Sequence, residues 1–382
     1  MDSPYKHELG VVFEVIQVAT AISRTVLQSL LPDDAGSAAN PEFASLQASL
    51  QVLKDDNTFV TAADLAIQAV LLRVLNFSFP THRLVAEESA SQLLASPALL
   101  SVVTSLAVAH SRANPFVWAH GGSDLAAHII PLFNTAAAPQ PPAVTPLDPT
   151  WVIDPIDGTA AFMRGEHYGI NVAHLCGSRQ ILSVVSLPLL APGPTTGPIT
   201  DADTTPSSGG TILFAVRGHG AHQRLSPSLS RPLPRHADAL PLAALSSVTC
   251  HGTLESAYDT LHAAVAARLD IAFPGTNLLG WVPRWAALAL GLGNTTVWVY
   301  RRRDRYAKVW DHAGAMLLFE EVGGMVTDVD GKDLDLSRGR LLSGNFGFVA
   351  APRSVHHHVL AAVKTVLQEQ GRADLLANND KI

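Results

Sequence analysis

"WVIDPIDGTAAFMRGEHYG", residues 151–169, runs from an apolar stretch into Asp154, then Pro155, Ile156, Asp157 and the pair Gly158-Thr159. The apolar lead reads as a buried strand that ends in carboxylates. That end is where an open α/β sheet presents its ligands. Pro155 fixes one backbone angle and stiffens the turn, which aims the Ile156 carbonyl inward. Gly158 and Thr159 offer backbone amides at the start of a helix, a natural place for phosphate. Hard divalent cations such as Mg²⁺ take oxygen ligands of this kind and keep several waters. Taken alone, the pair fits a solvated acidic turn equally well.

Other carboxylates fall in comparable places. "RLVA", from Arg83, is a short strand that ends in Glu87 and Glu88. "KVWDHAGAMLLFEEVGG" puts Asp311 at the start of an amphipathic helix that Gly323 and Gly324 end. The helix dipole favours an acid there even without a metal. "KDDNTFVTAAD" adds Asp64, whose spacing from Thr61 is that of a capping box. Asp64 therefore either simply caps its own helix or serves the acidic site.

Composition narrows the class. The chain has 382 residues, 47% of them hydrophobic, enough for a large core in two domains or one layered unit. A net charge of -7 argues against a protein that coats nucleic acid, though not against a small anionic substrate. Two cysteines, Cys176 and Cys250, give no disulfide framework and no zinc-cluster spacing, so a reducing, cytoplasmic setting is expected. Residues 11–31 read as an amphipathic helix rather than a signal peptide. "SASQLLASPALLSVVTSLAVAH" reads as a buried helix near 93–110 rather than a membrane span. "YGINVAHL" and "QILSVVSLPLL" are strands joined at Gly177-Ser178. Residues 191–210 are low in complexity and are expected to form a mobile insertion. A boundary is expected near residue 240. Residues 1–240 then form an α+β domain with most of the acids, and residues 241–382 an α/β domain that completes the site.

The order of these pieces resembles the inositol monophosphatase superfamily of Mg²⁺-dependent, lithium-sensitive phosphatases. The matching stretches are "DDNTFVTAAD", "AEES", "WVIDPIDGTAAF" and "VWDHAGAMLLFEEVGG", in the family's order and across most of the chain. The resemblance implies an α/β (α+β) fold, a layered αβαβα sandwich with the site between its halves. It implies Glu87, Asp154, Asp157 and Asp311 as metal ligands, with the Ile156 carbonyl beside them, for two or three Mg²⁺ ions per site. It implies that Asp64 and Thr159, beside Glu87, activate the attacking water. It also implies that Gly158 and Thr159 hold the phosphate through backbone amides.

Within that superfamily, "FMRGEHYGINVAHL" and "KVWDHAG" resemble the 3'(2'),5'-bisphosphate nucleotidase branch. This implies removal of the 3'-phosphate of adenosine 3',5'-bisphosphate to give AMP. The chain departs from the branch at Ala86 for Gly, at Ala160-Ala161 for Lys-Gly, at Trp281 for Ser, at Arg284 for Lys and near Tyr258 for His. Arg284 and Lys308 are the expected contacts to a second phosphate, and Tyr258 or Trp285 the expected stacking partner of a base. Trp281 and Trp285 fit a helix core equally well. Lys308 is the member singled out from the cationic run "YRRRDRYAK", residues 300–308; most such runs are solvated surface. His312 either orients Asp311 or packs. The expected partner is a small phosphorylated compound, a nucleotide first, with no nucleic acid polymer and no membrane, on a monomer or homodimer. The same chemistry on inositol phosphate or another small ester, and a non-catalytic nucleotide-binding relative, are the alternatives.

Overall fold

Residues 4–31, 51–53, 59–139, 148–193, 196–250 and 259–377 are described by a computed structural model. The chain opens with α1 (Lys6–Leu30), a short hairpin β1 (Gln51–Leu53) and β2 (Phe59–Thr61), and α2 (Ala62–Ser78). β3 (Arg83–Ala86) leads into α3 (Ser91–Ala95), α4 (Pro97–Ala113), α5 (Pro115–Ala119) and α6 (Leu125–Ala137). The helix expected near 93–110 is thus two helices, because Ser96 caps α4 and Pro97 occupies its first turn.

β4 (Pro149–Asp157) is the motif strand, and α7 (Thr159–Phe162) is the single turn that follows it. β5 (Gly169–Cys176), β6 (Arg179–Leu187), β7 (Thr211–Val216), β8 (Ala221–Ser226) and β9 (Leu229–Pro232) complete a seven-stranded sheet ordered β3 to β9. Only β3 and β4 run parallel; every later neighbour is antiparallel. The parallel pair sets Ala86 opposite Ile153, so Glu87 and Asp154 emerge side by side at one edge.

The remaining chain builds β10 (Val248–Thr249), α8 (Asp259–Arg268), β11 (Thr276–Asn277), α9 (Trp281–Leu290), β12 (Thr296–Trp298), α10 (Ala315–Glu321), β13 (Gly324–Thr327), β14 (Phe348–Pro352) and α11 (His356–Glu369). β12, β14 and β13 form a three-stranded antiparallel sheet.

Two cores define the layers. On one face of the large sheet, α1, α2, α4 and α6 pack over Trp151, Ile153, Ile170 and Val184. On the other face, Val152, Ala173 and Val185 join α9, α10, the small sheet and α11 in a second core. The order is helices, sheet, helices, sheet, helices, the layered αβαβα sandwich expected from the sequence. α1 is long and apolar enough to cross a membrane by composition, yet it buries Val12, Val15, Ile16, Ala19 and Ile22 against α2 and the sheet, as a core helix does.

The stretch expected to be a mobile insertion is ordered where it is described. Thr200 pairs with Asn277 in a parallel bridge, and the Asn277 N–H donates to the Ile199 carbonyl at 2.8 Å. The partner lies some seventy residues away, where no local signal reaches.

Candidate active site

The cleft lies between the end of β4 and the start of α9 and holds about 410 Å³. Glu87, Asp154, Ile156, Asp157, Gly158, Thr159, Lys308 and Asp311 line it. Each acid comes from a separate local cause. Asp154 and Asp157 sit on the last residues of β4, where the pairing with β5 slips and the strand bulges. Glu87 follows β3. Asp311 was expected at a helix start, but α10 begins four residues later, and Asp311 lies in the hydrogen-bonded turns at 309–314. That turn is fixed by Asn171 of β5, whose side-chain N–H donates to the Trp310 carbonyl at 2.6 Å. Asn171 is also the β5 partner of Asp154, so one residue aligns acids from the two ends of the chain.

Asp154, Asp157 and Asp311 each present a carboxylate oxygen, and these oxygens all lie within 4.8 Å of one another. Asp154 is 1% exposed, and among the described residues its oxygens meet no N–H donor, only the neighbouring Asp311 carboxyl. Burial, then the charges of Glu87, Asp157 and Asp311, push its carboxyl well above the usual range. Burial likewise drives Asp311 up, reinforced by Asp157 and Glu87 and opposed by Lys308. Asp157 is pushed up to about 7 by burial, even though the Val282 N–H and the Arg284 charge pull the other way. Three crowded, buried acids, one with no N–H donor among the described residues, fit a cation that takes oxygen ligands.

Asp157 is held from the second half of the chain. The Val282 N–H in the first turn of α9 donates to its Oδ2 at 2.6 Å. This needs Gly280, because a Cβ there would lie 2.5 Å from the same oxygen. Gly158 has φ +86°, a left-handed backbone open to glycine, and so lets β4 turn sharply into α7.

Asp64 caps its helix and also contacts Thr159. Its Oδ2 accepts the Thr61 N–H at 2.8 Å and the Thr61 hydroxyl at 2.6 Å, closing the capping box. Its Oδ1 accepts the Thr159 hydroxyl at 3.3 Å, and that hydroxyl also lies 3.1 Å from the Ile156 carbonyl. A fully buried carboxylate pinned on one side therefore meets the cleft through a hydroxyl.

The expected substrate contacts divide. Lys308 lines the cleft, with Nζ 5.6 Å from the Trp310 ring centre. Arg305 of the cationic run joins it, while Arg302 pairs with Asp304 and Arg303 with Asp330 on the surface side. Arg284 does not reach the cleft. It is 0% exposed, donates to the Gly280 and Leu279 carbonyls, and lies 3.5 Å behind the Trp281 ring centre. One helical turn separates Trp281 from Arg284, so the indole covers the guanidinium and itself becomes cleft wall. Trp285 is core, and its indole N–H donates to His312 Nδ1 at 3.1 Å. His312 thus packs, neutral, with its pKa held well below the usual value by burial and by Arg284. Tyr258 lies outside the described residues.

Three contributors are not singled out from the sequence. Arg340, in a surface-type turn, donates to the Ala86, Ala136 and Glu87 carbonyls and stacks 4.5 Å from the Trp310 ring centre. It ties the Glu87 corner to the Asp311 corner. Trp298 and Tyr300 add aromatic wall to the cleft. They read only as strand residues in "TTVWVY".

The chain is 31% identical to a 3'(2'),5'-bisphosphate nucleotidase of Emericella nidulans, over 83% of this chain and 91% of that one. It is 28% identical to a probable 3'(2'),5'-bisphosphate nucleotidase 4 of Arabidopsis thaliana, over 96% and 97%. The fold matches the extragenic suppressor protein suhB of Bartonella henselae with a TM-score of 0.53 at 16% identity, over 93% and 98%. The model of the inositol monophosphatase family matches residues 14–368, a span that holds every acid of the cleft. With fold, cleft and match agreeing, this chain belongs to the inositol monophosphatase family and is a phosphatase.

Proposed function

We propose that this chain is a Mg²⁺-dependent 3'(2'),5'-bisphosphate nucleotidase that converts adenosine 3',5'-bisphosphate to AMP and phosphate. The observation that carries the chemistry is the buried Asp154 carboxylate, with no N–H donor among the described residues, beside Asp157 and Asp311. The observation that carries the substrate is similarity over most of the chain to proteins named for that activity.

Glu87, Asp154, Asp157, Asp311 and the Ile156 carbonyl would hold two or three Mg²⁺ ions. When bound, such ions neutralise phosphoryl charge and lower the pKa of a water. The Thr159 hydroxyl, which lies 3.3 Å from Asp64 Oδ1 and 3.1 Å from the Ile156 carbonyl, would take a proton from the attacking water as it passes its own to Asp64 Oδ1. Asp64 Oδ2 stays held by the Thr61 N–H and hydroxyl. The Gly158 and Thr159 amides meet the phosphate. Lys308 and Arg305 face a second phosphate, and Trp281, Trp298 and Tyr300 offer a stacking wall for a base. Lithium sensitivity and a cytoplasmic setting belong to the same reading.

The burial of Arg284 favours a second reading, a small monophosphate such as inositol phosphate, because it takes one cation from the second-phosphate position. Both readings require the acids. Asp154→Asn should cost more than about hundredfold in turnover, beyond the loss typical of outer-shell metal partners. Unchanged turnover of purified Asp154→Asn removes this site from the mechanism.

A further inference from the structure

Residues 199–203 touch both walls of the cleft. On one side, the His167 N–H donates to the Asp201 carbonyl at 2.9 Å, and His167 Nε2 lies 2.9 Å from the Asp203 carbonyl. His167 closes the loop after α7, and its carbonyl lies beside Gly158. On the other side, Ile199 and Thr200 pair with Thr276 and Asn277. The half-buried Asp201 carboxylate accepts the Leu279 N–H with both oxygens, at 3.0 and 2.9 Å. Leu279 and Gly280 are cleft wall, and two residues later the Val282 N–H meets Asp157.

The chain from Leu279 to Val282 therefore hangs between two carboxylates. Asp201 holds its start and Asp157 receives its end. Gly280 lies so close to Asp157 that a methyl group does not fit between them. A shift of this rim by a fraction of an ångström changes the donor that fixes Asp157. The Asp201 carboxylate grips the rim backbone at Leu279, and its charge is also felt by Arg284 behind Trp281.

We propose that Asp201 is a positioning residue. By gripping the Leu279 N–H it sets the rim that orients Asp157, and so sets how tightly the cleft binds a divalent cation. This rests on the metal-phosphatase reading above. The fold of this segment adds a reason. Thr200 N–H and hydroxyl both donate to the Asp203 carboxylate, at 2.7 and 2.8 Å, so the strap that carries Asp201 is itself braced.

The test uses full-length Asp201→Ala and Asp201→Asn. Two quantities are read against Mg²⁺ concentration: the thermal shift and the rate of phosphate release. Loss of a charge-assisted hydrogen bond corresponds to about tenfold, so Asp201→Ala should need about tenfold more Mg²⁺ for half-effect in both. Asp201→Asn keeps an acceptor oxygen and should lie within about threefold of the parent. Should Asp201→Ala yield no folded protein, Asp201→Ser is judged by the same criterion. A Mg²⁺ dependence equal to that of the parent overturns the assignment, even if the rate falls, because a merely structural role lowers the active fraction and leaves the dependence unmoved. A parent chain with no Mg²⁺ shift overturns the metal reading and this inference with it. A parent shift matched by Asp201→Ala overturns this inference alone.

Discussion

Asp157→Asn should stabilise the metal-free protein while removing its response to Mg²⁺. Burial holds the Asp157 carboxyl at about 7 in the fold, against an ordinary 3.8. A folded acid with a raised pKa keeps its proton longer than the unfolded chain does. Stability is therefore lost as pH rises from 3.8 to about 7, and it stays lost above that. The gap is about 3 pH units, or about 4 kcal/mol at most at pH 8. Unfolding entropy for a chain of this length is about 0.8 kcal/mol/K, so removal of the charge should raise Tm by up to about 5 °C. The asparagine oxygen can still accept the Val282 N–H. The assay is thermal unfolding of parent and variant in EDTA at pH 8 and pH 5. Titrating groups remote from Asp157 cancel in the difference between the two proteins, whereas Asp154 and Asp311, whose carboxyls its charge helps push up, do not. The gain should shrink towards about 1–2 kcal/mol at pH 5, where the parent acid is protonated in the fold. Mg²⁺ should then stabilise the parent and leave the variant nearly unmoved. A variant less stable at pH 8, or a gain that does not fall with pH, refutes the idea that Asp157 is a strained acid waiting for a cation.

Two further outcomes follow from the same geometry. Thr159→Ala and Asp64→Asn should each lower kcat by about 10²–10⁴-fold, while the Mg²⁺ thermal shift persists and Thr159→Ser recovers most of the rate; equal losses in Thr159→Ser and Thr159→Ala would mean that the hydroxyl is not what matters. Arg340→Met should cost about 2–4 kcal/mol, because it leaves the Ala86, Ala136 and Glu87 carbonyls without their donor, read as denaturant midpoint at constant m-value; a loss below about 0.5 kcal/mol would show that water replaces the guanidinium at no cost.

What the sequence reveals here depends on range. β4 and its acids are legible because an apolar run, a proline and a Gly-Thr pair fall within nine residues, each with a local reason. Glu87 is legible because its strand is short and ends on it. Asp311 is legible as an acid before a helix, though the helix start is displaced by turns that Asn171 holds from another strand. Arg284 is not legible: its distance from the cleft depends on Trp281 lying over it. The same residues would put a guanidinium into the cleft if position 281 were small. Residues 199–203 read as a loose insertion because their composition is low in complexity, yet their partners at 276–279 and at His167 supply the hydrogen bonds that order them. Composition reports local preference, and it is silent about a partner contributed by the other half of the chain.

The most direct measurement is phosphate release by the purified chain with Mg²⁺, from adenosine 3',5'-bisphosphate and from inositol 1-phosphate, with and without lithium. A strong preference for the nucleotide, suppressed by lithium, is the expected result. It would assign the second phosphate to Lys308 and Arg305, since Arg284 is buried away from the cleft. Preference for inositol 1-phosphate would keep the carboxylate site and contradict the nucleotidase assignment, and no release from either ester would contradict both.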